Sequence, residues 1–240
     1  MSQPISIVTL TGVDPHTDLD GVAELARTCP ALEFGILLSR SQAGTPGRYG
    51  SLHFIRDTSA YLARQGVPIA LHVCGSAVHA FIAGDDEIEA LAAPFDRVQV
   101  NFNSQKTPVD PQALSARMDA LAKPVITQHN PANAGLTLQV ASPWHRVLFD
   151  ASGGLGVREA SWPLPLPGKT CGYAGGIGPA TVAADIAAIT ALQPGDGAWI
   201  DMENSLRIDD RFDLGRCAEV VAALPEGLAP SGAAPASVPA

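Results

Sequence analysis

Residues 171–201, CGYAGGIGPATVAADIAAITALQPGDGAWID, decide the fold. Cys171–Ala174 is a short strand-like run. Gly175-Gly-Ile-Gly178 interrupts it, and Pro179–Leu192 then sets apolar residues at helical spacing, with Gly178-Pro179 as the expected helix start. Ala198–Asp201 is strand-like again. Two strands joined by a helix-long crossover lie parallel, so the segment is a β-α-β unit.

Outward from this unit the pattern repeats. Further strand-like runs are Ile5–Leu10, Leu32–Leu38, Ile69–Cys74, Arg97–Asn101, Pro124–Gln128 and Arg146–Asp150. Helical spacing is clearest over Asp18–Thr28, Leu52–Gln65, Pro111–Ala122 and Asp213–Leu224. The runs are almost continuously apolar, as strands covered on both faces are. About eight such units in some 225 residues is the arithmetic of an α/β (β/α)₈ TIM barrel. A doubly wound sheet uses the same units, but its first turn calls for GxGxxG, and Thr11-Gly-Val-Asp-Pro-His16 does not supply it. A single barrel is therefore expected over residues 1–225. A disordered tail is expected over 226–240, EGLAPSGAAPASVPA, which has no charge after Glu226 and no period.

Composition narrows the function classes. With 15 Lys+Arg against 24 Asp+Glu the net charge is −9, and no basic block offsets it, so neither nucleic acid nor an anionic membrane is an expected partner. No apolar run approaches the ~20 residues of a membrane helix, and MSQPISIVTL lacks the basic start and small-residue cleavage site of a secretion signal. A cytoplasmic protein is expected. Cys29, Cys74, Cys171 and Cys217 are scattered without CxxC pairs, so neither a disulfide framework nor a zinc ribbon is expected. Asp85-Asp-Glu-x-x-Glu89 reads as a solvated helix face, and His53 and His79 as residues of helical segments.

The active site of such a barrel lies at the C-terminal mouth, built from strand ends and the loops after them. Side chains two apart on a strand share a face. The first strand ends Thr9-x-Thr11, the third His72-x-Cys74, the fourth Asn101-x-Asn103 and the fifth Gln128-His129-Asn130. The sixth ends at Asp150 and the eighth at Asp201-x-Glu203-Asn204. Polar residues at six of eight strand ends imply a polar pocket. Tyr173-Ala-Gly-Gly-Ile-Gly-Pro179 offers glycines whose N–H groups can approach an anion at a helix start, where barrels often hold phosphate. Asp150, closing an apolar strand before Gly153-Gly154, is placed for partial desolvation and general acid work.

The order of these signals resembles phosphoribosylanthranilate isomerase, the barrel enzyme of tryptophan biosynthesis that performs an Amadori rearrangement. Asp96-Arg-Val-Gln-Val-Asn101 is similar to the family's Asp-x-Val-Gln-Leu-His, and Leu148-Phe-Asp150 with Gly153-Gly154 to its Leu-Leu-Asp before a Gly-Gly loop. Ala174-Gly-Gly-Ile-Gly-Pro179 matches Ala-Gly-Gly-Leu-x-Pro, and Ile200-Asp-Met-Glu-Asn-Ser205 resembles Val-Asp-Val-Ser-Ser-Gly. Thr45-Pro-Gly-Arg48 stands where the family has a Ser-Pro-Arg-type loop. The likeness spans residues 5 to 224 and is strongest from 146 onward.

The departures are specific. The family's Lys-Ile-Cys-Gly, whose Cys is the base, is here Thr9-Leu-Thr11-Gly12, and a threonine hydroxyl is no substitute for a thiolate. Its fourth-strand His is Asn101, its phosphate-loop Ser-Ser is Glu203-Asn204, and Ser39–Gly50 and Ser161–Pro167 look enlarged.

The resemblance implies an isomerase-like enzyme, or a lyase, that isomerises or rearranges a phosphorylated, sugar-like small molecule by acid/base chemistry without a cofactor; with the first-strand Cys gone, it does not imply the tryptophan-pathway reaction as such. Asp150 is the expected acid, and Cys74, His72 or Glu203 the expected base. Arg48 is expected to clamp a substrate carboxylate. Thr11, Asn101, Asn103, Gln128 and Asp201 are expected to bind substrate, and Gly175, Gly176 and Asn204 the phosphate. The family occurs as monomers and as homodimers, so a homodimer is consistent with it. Two other readings stand beside this one. One is a divalent-metal enzyme using His72, Cys74, His129, Asp150 and Glu203. The other is a non-catalytic barrel that binds a phosphorylated metabolite.

Overall fold

The computed structural model describes residues 5–45, 47–158 and 160–228. Eight strands carry the fold: β1 (Ile5–Val13), β2 (Leu32–Ser39), β3 (Ile69–Cys74), β4 (Arg97–Asn101), β5 (Val125–His129), β6 (His145–Phe149), β7 (Thr170–Ala174) and β8 (Ala198–Met202). They close in sequence order into a parallel barrel, with β8 returning to β1. The expected (β/α)₈ TIM barrel is the observed fold.

The outer ring is formed by α1 (Leu19–Thr28), α2 (Leu52–Arg64), α3 (Ala77–Ala83), α4 (Asp86–Ala92), α5 (Pro111–Leu121), α6 (Ala134–Thr137), α7 (Val182–Ala191) and α8 (Leu214–Ala222). Capping explains several starts. Asp18, Ser51, Asp85, Asp110 and Asp213 each accept a backbone N–H of the first turn, and Pro111 opens α5 as expected. Asp85 is thus the cap of α4, and the acidic run it begins fills the first turn, where the helix dipole favours negative charge.

Three expectations are corrected. Pro179 does not open α7: Gly178 to Thr181 form a turn in which the Thr181 N–H reaches the Gly178 carbonyl at 2.9 Å, and the helix begins at Val182. Eight full β-α units are not present, because α6 is a single turn and, among the described residues, no helix lies between β6 and β7. The Pro-rich segment 161–167 runs there instead, and its Trp162 meets the buried Tyr173 ring edge-on at 6.0 Å. Packing also continues past residue 225. Leu228 is buried, and its carbonyl accepts the Cys29 thiol at 3.0 Å. The rest of the expected tail, 229–240, lies outside the described residues.

Period-two alternation sorts each strand's side chains. Leu32, Phe34, Ile36, Leu71, Val73, Val98 and Val100 face outward and pack under the helices with residues such as Ile55, Leu62, Phe81, Leu114 and Val220. The inward face is different. Its lower half holds Ile7, Ile126 and Trp199 around a buried ion pair. Arg97 donates through Nε to Glu33 Oε2 at 2.8 Å and through NH2 to Glu33 Oε1 at 2.5 Å and Thr9 Oγ1 at 3.1 Å. The Arg97 guanidinium lies 4.8 Å from the Trp199 ring centre. Gly172 makes room for that indole, since a Cβ there would stand 2.1 Å from it. These groups fill the base of the barrel and leave the hollow at the mouth.

Removing one member of this pair leaves the other charge buried alone, and breaking such a pair costs about 3–5 kcal/mol. Arg97→Met is expected to lose that much stability in urea denaturation. The paired change Glu33→Leu with Arg97→Met should recover most of it. A double variant no more stable than the single one would show that the charge at Glu33 is not what the guanidinium compensates.

Candidate active site

The mouth encloses a cavity of about 400 Å³ lined by inward residues of β3 to β8 and by the loops after β6, β7 and β8. Of the expected residues, His72, Asn101, Gln128, Asp150, Gly175, Gly176, Asp201, Glu203 and Asn204 line it. Gln99, an inward residue of β4, lines it too.

Asp201 is the electrostatic centre. Its side chain is 7% exposed, and Thr11 Oγ1 donates to Oδ1 at 2.7 Å. Burial pushes its carboxyl up to about 7; the Thr11 hydrogen bond opposes this, while the Glu33 and Asp150 charges add to it. Oδ2 faces His72 Nε2 at 3.9 Å, longer than a hydrogen bond. Thr11 touches Asp201 rather than the cavity wall, so it positions the carboxyl from the place where the resembling family has its cysteine.

His72 is buried, and burial brings its imidazole down to about 4, so it is neutral at neutral pH. Gln99 Nε2 lies 3.3 Å from His72 Nδ1 and donates to Asn101 Oδ1 at 3.1 Å. Nδ1 is therefore the acceptor, and the ring proton sits on Nε2, toward Asp201. Asn101 Nδ2 in turn points to Cys74 Sγ at 3.5 Å. Burial raises the Cys74 thiol to about 11, with the Glu203 charge adding to the rise. The thiol is thus protonated at neutral pH, which removes the basis for Cys74 as a base. A neutral His72 is likewise no proton donor there.

Across the mouth, Asp150 follows the last residue of β6. Its Oδ2 accepts from Gln128 Nε2 at 2.9 Å and its Oδ1 from Ser152 Oγ at 2.9 Å. Beyond it, Gly154 and Gly156 line the cavity, and the chain passes over the β7 turn. Gly176 adopts φ +67°, and a Cβ there would stand 2.8 Å from Arg158 Cβ, so only glycine fits beneath this crossing. The Arg158 guanidinium pairs with both oxygens of Asp185, which is buried in the first turn of α7. Because α7 starts at Val182, Gly175 and Gly176 stand ahead of a turn and not at the helix end that the sequence suggested.

Three expected roles change. Arg48 is held by the protein itself: NH1 reaches Glu203 Oε1 at 2.5 Å and Asn204 Oδ1 at 3.2 Å, and NH2 reaches Asp210 Oδ1 at 3.1 Å. It ties the loop after β2 to the end of β8 and lies outside the cavity wall, so it is not poised to clamp a substrate carboxylate. Glu203 is turned toward it; burial raises the Glu203 carboxyl and the Arg48 charge opposes the rise. Asn103 caps its own loop, accepting from Gln105 N at 3.0 Å and Lys106 N at 3.2 Å. The metal reading finds no ligand set, since among the described residues no three His, Cys, Asp or Glu are placed to hold one ion. His129 instead packs edge-on against Phe149 at 5.3 Å. Among the described residues no helix is long and apolar enough to cross a membrane.

No protein-family model and no curated protein matches this chain. Solved structures do. The phospho-2-dehydro-3-deoxyheptonate aldolase (DAHP synthase) of Thermotoga maritima is 14% identical, with 89% of this chain and 67% of that one covered at a TM-score of 0.52. A D-psicose 3-epimerase solved in the presence of D-fructose is 13% identical, with coverage of 84% and 86% at a TM-score of 0.50. At these identities the likeness speaks for the barrel fold alone.

Burial of Asp201 carries a stability signature. A carboxyl raised from 3.8 to about 7 binds its proton more tightly in the folded protein than in the unfolded chain. The associated stability is complete below pH 3.8 and is lost as pH rises through about 7. Asp201→Asn keeps an acceptor for Thr11 and removes the ionisation. Its gain over the wild type is expected to be small at pH 4 and on the order of 4 kcal/mol at pH 8. Urea denaturation across that range measures it, and a gain independent of pH would show that Asp201 ionises as an ordinary carboxylate.

Proposed function

We propose that this barrel is an enzyme that isomerises a phosphorylated, sugar-like small molecule by acid/base proton transfer, in the manner of phosphoribosylanthranilate isomerase. The observation that carries the reading is the pair of carboxyl groups, Asp150 and Asp201, on one polar cavity, with Asp201 held near 7. A carboxyl that burial holds near neutrality can donate a proton, and a second carboxyl on the same cavity can serve as its partner.

In this reading the roles expected from sequence are redistributed. Asp201 carries the proton at neutral pH and delivers it from Oδ2 to a ring or carbonyl oxygen of the substrate. Asp150, whose two oxygens both accept hydrogen bonds, takes a proton from the adjacent carbon. An enol forms, and its return to the carbonyl form lets the two carboxyls recover their starting protonation. Thr11 orients Asp201, and Gln128 orients Asp150. The phosphate end lies against the Gly175-Gly176 turn and the first residues of the 3₁₀ turn Asn204–Leu206, with Glu203 turned away to Arg48. A binder without chemistry has no use for a fully buried carboxyl near 7, which favours the enzyme over the non-catalytic reading.

The test is the fluorescence decay of phosphoribosylanthranilate with the wild type, Asp150→Asn and Asp201→Asn. Each variant is expected to lose at least about a hundredfold in turnover while still binding, the usual size of an acid/base contribution. In the wild type kcat/KM should fall as pH rises through about 7, where Asp201 gives up the proton it must donate. Absence of wild-type turnover overturns the isomerase assignment for this substrate.

A further inference from the structure

The cavity wall contains an acceptor that the proton-transfer scheme does not use. Gln99 is 3% exposed, and its Oε1 has no hydrogen-bond partner in the protein. Its Nε2 lies against His72 Nδ1 at 3.3 Å and Asn101 Oδ1 at 3.1 Å. Turning the amide over does not remove the vacancy: with Oε1 toward His72 and Asn101, Nε2 would be the atom left without a partner. A buried acceptor without a partner is costly, so a native site that keeps one points to a ligand donor.

The neighbouring groups say which donor. His72 holds its remaining proton on Nε2, and Asp201 Oδ2 stands 3.9 Å from that atom, too far to be its hydrogen-bond acceptor. The Gln99–His72 unit therefore offers an acceptor and a donor together. An ammonium group supplies donors only and cannot accept from His72, whereas hydroxyl groups do both. The other carboxylate nearby, Glu203, is matched by Arg48, so little unpaired negative charge remains on this side to attract a cation.

We propose that Gln99 is a specificity residue: its Oε1 accepts a hydroxyl hydrogen of the substrate, so that this wall of the cavity selects a polyhydroxylated ligand. The assignment rests on the sugar-phosphate reading above. Gln99 binds the hydroxyl and takes no proton, and the interaction is present in the ground state and in the transition state alike. Its loss raises KM and leaves kcat largely unchanged.

The test pairs a change in the protein with a change in the ligand. Ribose 5-phosphate, its 1-deoxy, 2-deoxy and 3-deoxy analogues and inorganic phosphate are titrated by calorimetry into the wild type and Gln99→Met, a swap of similar length that removes the amide. The wild type is expected to bind one deoxy analogue about tenfold more weakly than ribose 5-phosphate, and Gln99→Met to bind that pair alike. Inorganic phosphate should bind both proteins equally, which shows that the variant keeps its phosphate end. Equal discrimination by the two proteins for every analogue overturns the role of Gln99 and leaves the sugar-phosphate reading standing. Failure of the wild type to bind either ribose 5-phosphate or inorganic phosphate overturns both. A Gln99→Met that unfolds is replaced by Gln99→Leu, which removes the amide in the same way and is held to the same outcomes.

Discussion

The salt bridge between Glu33 and Arg97, stacked on Trp199, is what the upper half of this barrel rests on. A closed eight-stranded barrel must fill its interior, and layers of branched aliphatic side chains usually do so. Here the lower layers are a carboxylate, a guanidinium and an indole, satisfied among themselves and by Thr9. Ion pairs so deep are weak stabilisers, because desolvation consumes most of the attraction. Their geometric demand is strict, however. Arg97 can reach Glu33 and Trp199 together only if β2, β4 and β8 keep their register and Gly172 gives up its side chain.

The same pair shapes the chemistry above it. The charges of Glu33 and Arg97 act on Asp201 with opposite sign, so the carboxyl feels mainly its own burial and the Thr11 hydrogen bond that opposes it. Thr11, whose hydroxyl is useless as a base, serves Asp201 as a hydrogen-bond donor from the neighbouring strand.

Much of this was legible because strand periodicity is so rigid. His72, Asn101, Gln128, Asp150 and Asp201 were found by reading the last inward positions of each strand, and all of them line the cavity. Gln99 lies on the same inward face, between Arg97 and Asn101, and was missed because the reading stopped at strand ends. Glu33 and Arg97 were missed because buried strands were taken to be apolar throughout. Arg48 was visible as a loop cation, but its partner Glu203 is 155 positions away, and only the closed barrel brings the two together. The absent helix after β6 left a trace in the prolines of 161–167, and the late start of α7 left one in Thr181, whose hydroxyl accepts the Gly178 N–H at 3.2 Å.

The missing helix has a consequence for the site. In a regular unit the chain leaves the mouth, descends as a helix and returns, and the loop above the strand is free to move alone. Between β6 and β7 the same segment carries Asp150 and Ser152 at its start, passes over Gly175 and Gly176 in the middle, and covers Tyr173 with Trp162 farther on. Arg158 fastens it to Asp185 inside α7. Displacing this strap would therefore disturb Asp150 and the Gly-Gly turn together. The two halves of the site are mechanically coupled through one stretch of chain, and the Arg158–Asp185 pair is the point at which that coupling is anchored to the helical shell.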